Sequence, residues 1–244
     1  MTDRATQVAQ ALAGVRARIE AACRAAGRAN DVGLVVVTKF HPASDVAILA
    51  GLGVTDVGEN RDQEARRKRE ELEQLPGIDA AAVSGLRWHM LGQVQRNKAA
   101  SVVRWADLVE SVDRPELAAA LGRAAQAAGR TLDVLVQVSL DPLDRPERGG
   151  VPVPGVQELA DTVAGTAGLR LAGVMAVAPH PDEGVPAGAA FARLDRVHAD
   201  VIARHPQARI LSAGMSDDLQ EAIAHGATQV RIGAAVLGPR PLVQ

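Results

Sequence analysis

Two apolar periods alternate along this chain. Near its start Val8, Leu12, Val15, Ile19 and Ala22 recur at three- and four-residue steps, the spacing of an amphipathic helix, and Gly27 and Asn30 supply its stop. The next apolar run, Leu34 to Val37, is continuous and β-branched, which predicts a buried strand over 33–38. Pro42 and Ser44 open a short helix with Val46, Leu49 and Ala50 on its apolar side, stopped by Gly51 and Gly53. A strand over 54–57 leads through Gly58, Glu59 and Asn60 into a highly charged helix over about 61–74.

The alternation continues to the end. Residues 74–85 read as a loop and 86–91 (LRWHML) as a strand, with a helix beginning near Val94. Segments 108–112, 132–140, 169–177, 208–214 and 228–237 read as five more strands with helices between them. Eight strands buried on both faces and alternating with helices predict parallel βα repeats. The count favours a closed (β/α)8 TIM barrel over an open doubly wound sheet. No linker interrupts the pattern, so residues 1–244 read as a single domain. The Pro- and Gly-rich segments 75–85, 141–155 and 179–188 read as the mobile loops.

Composition removes several function classes. Hydrophobic residues make up 47% of the chain but aromatics only 2%, and the net charge is −2, so neither a basic surface nor stacking rings point to nucleic acid. The opening residues contain no apolar signal core, and no apolar run approaches the ~18 residues of a membrane span. The one cysteine, Cys23, cannot form an internal disulfide and reads as packed in the first helix. A cytoplasmic protein is expected.

In a barrel of this kind, chemistry gathers at the C-terminal ends of the strands. That filter selects Lys39, Glu59, Asn60, the stretch Trp88 to Leu91, Asp141, Met175, Ser212 to Ser216, and Arg231 to Ala234. An amine at the end of a buried strand is partly desolvated, which lowers its pKa and lets it attack an aldehyde to give a Schiff base. The alternative for Lys39 is an ammonium that reaches solvent at the rim. In the last strand Gln229, Arg231 and Gly233 share one face and Val230 and Ile232 the other, which aims Arg231 into the barrel. There it needs an acceptor, either a ligand or a carboxylate elsewhere in the barrel. Gly233 permits close backbone approach where this fold usually holds phosphate, and Ser212 and Gly214 add a hydroxyl and a permissive backbone position beside it.

Other residues admit two readings. Ser216 reads as a helix N-cap with Asp217 and Asp218 in the first turn and Gly226 as the stop. Asn60 either faces the mouth or caps the following helix, and His89 either contacts a ligand or packs in the core. The stretch GLGVTDVG precedes a strand, where a dinucleotide loop would follow one. The six histidines are scattered, so no metal site is expected. The run RRKREELE reads as a solvated helix face.

Together VTKFHP, VGEN, WHMLGQVQRNK, GVMAVAP, LSAGMSDD and VRIGAAVLGPR, in this order and spacing, resemble the pyridoxal phosphate homeostasis proteins over essentially the whole chain. The resemblance implies the fold of the alanine racemase N-terminal domain, without that enzyme's second domain. It implies covalent attachment of pyridoxal 5′-phosphate to Lys39, with Asn60, Met175 and the WHMLG segment, including His89, lining the cofactor. Ser212, Gly233 and neighbouring backbone at Gly214 and Ala234 would hold the phosphate, and Arg231 would face the pyridine nitrogen. The chain departs from the family pattern with Arg61 in place of a tyrosine, Ala234 in place of a hydroxyl residue, and Arg148 in place of a lysine.

An arginine at the ring nitrogen makes a poor electron sink, and racemisation wants two bases. The expected function is therefore a monomeric cofactor carrier that serves apo-enzymes, without robust turnover. The alternatives are a weak amino-acid racemase and a Schiff-base lysine aldolase acting on a sugar phosphate.

Overall fold

In the computed structural model, residues 3–142 and 148–239 are described. Part of the 141–155 loop (143–147) and Arg240 of the closing motif lie outside the described residues. The described residues form nine strands: β1 (Gly33–Val37), β2 (Asp56–Glu59), β3 (Arg87–Met90), β4 (Leu108–Val112), β5 (Leu132–Ser139), β6 (Val151–Pro152), β7 (Leu169–Met175), β8 (Ile210–Ser212) and β9 (Gln229–Ile232). All are parallel. Hydrogen bonds run in the order β1-β2-β3-β4-β5-β7-β8-β9 and return from β9 to β1, so eight strands close a barrel. The two-residue β6 only extends the end of β5.

Among the described residues ten α-helices accompany the strands: α1 (Arg4–Ala25), α2 (Ala43–Gly51), α3 (Asp62–Gln74), α4 (Ala80–Ser84), α5 (Ala99–Val103), α6 (Pro115–Ala127), α7 (Val156–Ala164), α8 (Ala187–Arg204), α9 (Leu219–Ala224) and α10 (Ala234–Leu237). α1 precedes the barrel and packs across α9 and α10. Its buried face is the predicted one, Val8, Leu12, Val15, Ile19 and Ala22, joined by Cys23. Each large side chain there contributes roughly 1.5–3 kcal/mol of burial. At its start Arg4 clamps Asp45 of α2 through Nε–Oδ1 (3.0 Å) and Nη2–Oδ2 (2.5 Å) contacts.

Several predicted boundaries shift. The second strand runs 56–59, because Gly53 turns the chain before it. The loop at 74–85 contains α4, capped by the Asp79 carboxylate, and 179–188 contains a short 3-10 turn. The strand predicted over 228–237 stops at Ile232, and Ala234 already belongs to α10. Ser216 is not the helix cap. α9 begins three residues later with Asp218 at the cap position, whose carboxylate instead accepts the Met215 N–H at 2.6 Å.

Strand alternation divides the core into two compartments. Outward positions pack under the helices in one large apolar cluster. Inward positions form only a small apolar floor of Leu108, Leu135, Ala172 and Met175. Apart from Val35 of β1, the fully buried interior above that floor is largely polar, with His89, Glu110, Ser212, Gln229 and Arg231, in a fold whose interior is normally filled by branched aliphatics.

Candidate functional site

Lys39 lies in the turn two residues after β1, half-buried at the C-terminal end of the barrel. Thr38, between them, turns its hydroxyl to Glu59 (2.6 Å). The next residue, Phe40, has a φ of +68°. A left-handed conformation costs roughly 1–2 kcal/mol for an L-residue, so the chain turns there at some expense. The Arg61 guanidinium lies 5.5 Å from the Phe40 ring centroid and covers it.

The neighbouring strand of β1 is β9, with Val36 opposite Ile232. One step beyond, Gly233 lies against the last residue of β1. A Cβ on Gly233 would come within 3.2 Å of the Val37 carbonyl oxygen, so a larger residue would push the strands apart. Gly233 is also the cap position of α10 and supplies no side-chain cap. The first N–H groups of that turn have no acceptor in their own helix and are left for a ligand or water. Ala234 is exposed and offers no hydroxyl.

Gly214 follows β8 with a φ of +92°, and a Cβ there would meet the Ala222 Cβ at 2.7 Å. Its carbonyl accepts the Arg231 N–H at 2.9 Å, which ties the β8 loop to β9. Met175 is buried at the end of β7, and Asn60 is half-buried just past β2. The cap position of α3 is Arg61 and not Asn60.

Arg231 points inward as predicted and is almost fully buried. Its Nη1 donates to Ser212 Oγ (2.7 Å) and its Nη2 to the Ala176 carbonyl (2.8 Å). A carboxylate, Glu110 of β4, lies 3.7 Å away. So the acceptor called for by the sequence is, in part, a carboxylate of the barrel itself. Burial pulls the guanidinium below its usual pKa, and Glu110 and Asp218 oppose that.

Glu110 organises the interior. Its Oε1 meets His89 Nδ1 (2.7 Å) and accepts from Gln229 Nε2 (2.8 Å), and its Oε2 accepts from Ser212 Oγ (2.6 Å). β4 and β8 are not sheet neighbours, so the bond to Ser212 crosses the barrel. His89 Nε2 reaches Asp56 Oδ1 at 2.9 Å. Burial disfavours the imidazolium, but Asp56 and Glu110 outweigh it and raise the His89 pKa. Two acceptors on two ring nitrogens are satisfied together only by the imidazolium form. Burial also works against the Glu110 charge, yet His89, Arg231 and Ser212 hold its pKa low. The contacts of His89 thus go with the packed-core alternative.

Three expectations need correction. Of the WHMLG segment, Trp88 and Met90 face the helix layer, because alternation leaves only His89 and Leu91 on the inner side. Glu59 also points away from the mouth. Its Oε1 accepts from Lys68 Nζ of α3 at 2.6 Å. Lys68 was expected on a solvated face and is fully buried, because Ala65, Lys68 and Leu72 form the inner stripe of α3. Lys68 Nζ donates to the Thr38 carbonyl (2.6 Å) and lies 2.9 Å from Glu64 Oε1, and that same Glu64 oxygen accepts the Phe40 N–H. Sequence reasoning passed over Glu110, Glu64 and Lys68. The signals were a lone carboxylate inside the strand LVESV and a lysine in step with Ala65 and Leu72. The third departure, Arg148, is held by Asp141 (3.3 Å) and the Ala178 carbonyl (2.6 Å) beside the mouth.

The family model for the alanine racemase N-terminal domain matches residues 11–241. The pyridoxal phosphate homeostasis protein of Mycobacterium tuberculosis (strain H37Rv) is 46% identical, with 98% of this chain and 95% of the relative covered. The chain belongs to the pyridoxal phosphate homeostasis protein family. The family member of Escherichia coli (strain K12) is 35% identical over 96% of this chain and 97% of its own length. Among solved structures, PipY of Synechococcus elongatus, determined with pyridoxal phosphate bound, superposes with a TM-score of 0.78 at 32% identity, covering 95% of this chain and all of that one. Alanine racemase of Clostridium difficile 630 superposes with a TM-score of 0.68 at 18% identity and covers 56% of that chain, a likeness of fold alone.

Proposed function

We propose that this protein binds pyridoxal 5′-phosphate as an imine on Lys39 and serves the cell's supply of that cofactor without robust turnover of its own. The observation that carries this reading is the placement of Lys39. It is one of three lysines in the chain, at the C-terminal end of β1, beside the strand that brings Gly233 and Arg231. The donor set fits the cofactor. Lys39 supplies an amine for the aldehyde, and Arg231 supplies N–H groups near the ring nitrogen. The uncapped turn after Gly233, with Gly214 nearby, supplies backbone N–H groups for the phosphate. Asn60 and Met175 would flank the ring, while Ala234 gives the phosphate no hydroxyl, so its grip rests on backbone. Bound there, the cofactor supplies the carbonyl with which an amine condenses.

The relatives named pyridoxal phosphate homeostasis protein and the PipY structure support the binding role. The carrier role rests on the residues of this chain. It contains no tyrosine, the residue that the relation to alanine racemase would supply as a second base opposite Lys39. Arg231 would place a cation near the ring nitrogen of a bound cofactor, which would disfavour the protonated electron sink. Action in the cytoplasm, as a one-domain monomer that hands cofactor to apo-enzymes, belongs to the same reading. Among the described residues no helix is long and apolar enough to cross a membrane.

The test mixes loaded protein with an apo-transaminase and follows recovered activity, alongside a chiral assay with several amino acids. Recovery of transaminase activity without racemisation is expected. Racemisation at or above about 10 s⁻¹, a typical enzyme turnover, would overturn the carrier role.

A further inference from the structure

Behind β1 the side chains of Glu59, Glu64 and Lys68 converge on the backbone that carries Lys39. Lys68 Nζ donates to the Thr38 carbonyl at 2.6 Å and to Glu59 Oε1 at 2.6 Å, and pairs with the Glu64 carboxylate at 2.9 Å. Glu64 Oε1 also accepts the Phe40 N–H. The Thr38 carbonyl belongs to the peptide unit before the Lys39 Cα, and the Phe40 N–H to the unit after it. The same α3 helix therefore grips both peptide planes that flank Lys39, at the point where Phe40 turns left-handed. Glu59 anchors the grip from β2, through Lys68 and through the Thr38 hydroxyl at 2.6 Å.

We propose that Glu64 and Lys68, anchored by Glu59, are positioning residues for Lys39: they fix the two peptide planes around its Cα and so aim its amine into the barrel mouth. The inference rests on Lys39 being the amine that takes the cofactor. Burying an ammonium and two carboxylates is an expensive way to pack a helix, and an apolar stripe would serve packing as well or better. What the charged set adds is directional hold on two named peptide groups. A reacting group displaced by about 1 Å can lose roughly 100-fold in rate.

The test uses Lys98 as an internal standard for Lys39. Native protein is mixed with pyridoxal 5′-phosphate, samples are reduced with borohydride over time, and the labelled peptides of Lys39 and Lys98 are quantified by mass spectrometry. Glu64→Leu should slow labelling of Lys39 by about 10- to 100-fold and leave Lys98 unchanged. Loss of a nearby carboxylate would by itself lower the amine pKa and speed the coupling, so a slowing reports geometry. Glu64→Gln removes the same charge and keeps an acceptor for the Phe40 N–H, so it should restore most of the Lys39 rate. The double variant Glu59→Gln/Lys68→Met, which removes the ammonium and the fully buried Glu59 charge together, should slow Lys39 as Glu64→Leu does. Unchanged Lys39 labelling in Glu64→Leu and in the double variant would overturn the inference. So would equal losses at Lys39 and Lys98, or a slowing that Glu64→Gln fails to rescue, since these mark a purely structural role. Absence of Lys39 labelling in the native protein, with Lys98 labelled, would instead sink the cofactor assignment.

Discussion

Inside the barrel, Asp56, His89, Glu110 and Arg231 stack as two carboxylates and two cations, while behind β1 Glu59 and Glu64 share the single ammonium of Lys68. Glu110 and Glu59 are equally buried, both at 0% exposure, yet their acidities move in opposite directions. Burial raises the Glu59 pKa, and the contacts with Lys68 and Thr38 do not overcome it. Burial presses on Glu110 in the same way, and there the partners win. The difference lies in how the oxygens are used. Glu110 engages partners on both, whereas Glu59 Oε1 receives Lys68 and Thr38 and its Oε2 has no hydrogen-bond partner among the described residues. Depth alone does not set the charge of a buried carboxylate; the balance of partners does.

The comparison breaks most sharply at Glu110. Glu110→Leu strands the Arg231 guanidinium and one nitrogen of His89, and should cost about 3–5 kcal/mol in urea unfolding. At the outer network, Lys68→Met should cost less, about 1–3 kcal/mol, because Glu59 can take up a proton and need not remain an isolated charge. A larger loss at Lys68 than at Glu110 would erase the distinction between the two networks.

The two networks should also titrate differently. His89 has a raised pKa in the folded protein, so its contribution is fully present below its unfolded value of about 6.5 and is lost as pH rises through the folded value. The stability gap between native protein and His89→Gln should therefore narrow as pH rises above about 6.5, by roughly 1.4 kcal/mol for each unit that the pKa is raised. A gap that widens with pH would mean that the ring is neutral in the folded state. Glu110 has the opposite sign: its lowered pKa stabilises above the unfolded value of about 4.3, and that contribution is lost as pH falls through the folded value. The smallest effect is expected at the surface. Arg61→Ala removes the cation over Phe40 and should cost about 0.5–1 kcal/mol in the same unfolding assay, with the fold intact.

Much of the architecture was legible because the chain keeps two clean periods. Each of the eight barrel strands overlaps a predicted one, with shifted ends at the second and the last, and the alternation in TQVRIG correctly sent Gln229 and Arg231 inward and Val230 and Ile232 outward. The strand-end filter found Lys39, Gly233 and Ser212 without knowing which strands were neighbours. The polar partners were harder to read. Glu110 interrupts an otherwise apolar strand, and nothing local says that Ser212, 102 residues later, will meet it. Lys68 hid among like charges, although its step from Ala65 and toward Leu72 marked the buried stripe of α3. Glu59, Trp88 and Met90 were placed at the mouth by their position along the chain, where strand parity should have turned them outward. Ser216 and Asp218 are both good helix caps, and only the turn over 216–218 decides between them.

The central claim is that Lys39 is the amine at the barrel mouth that takes pyridoxal 5′-phosphate. The most direct measurement loads native protein with the cofactor, reduces it with borohydride and maps the modified peptide by mass spectrometry. One phosphopyridoxyl group on Lys39 is predicted, lost in a folded Lys39→Ala variant without transfer to another lysine. Label on Lys98 or Lys68 in place of Lys39 in the native protein, or a Lys39→Ala variant that still takes up one equivalent of reducible cofactor, would contradict the account.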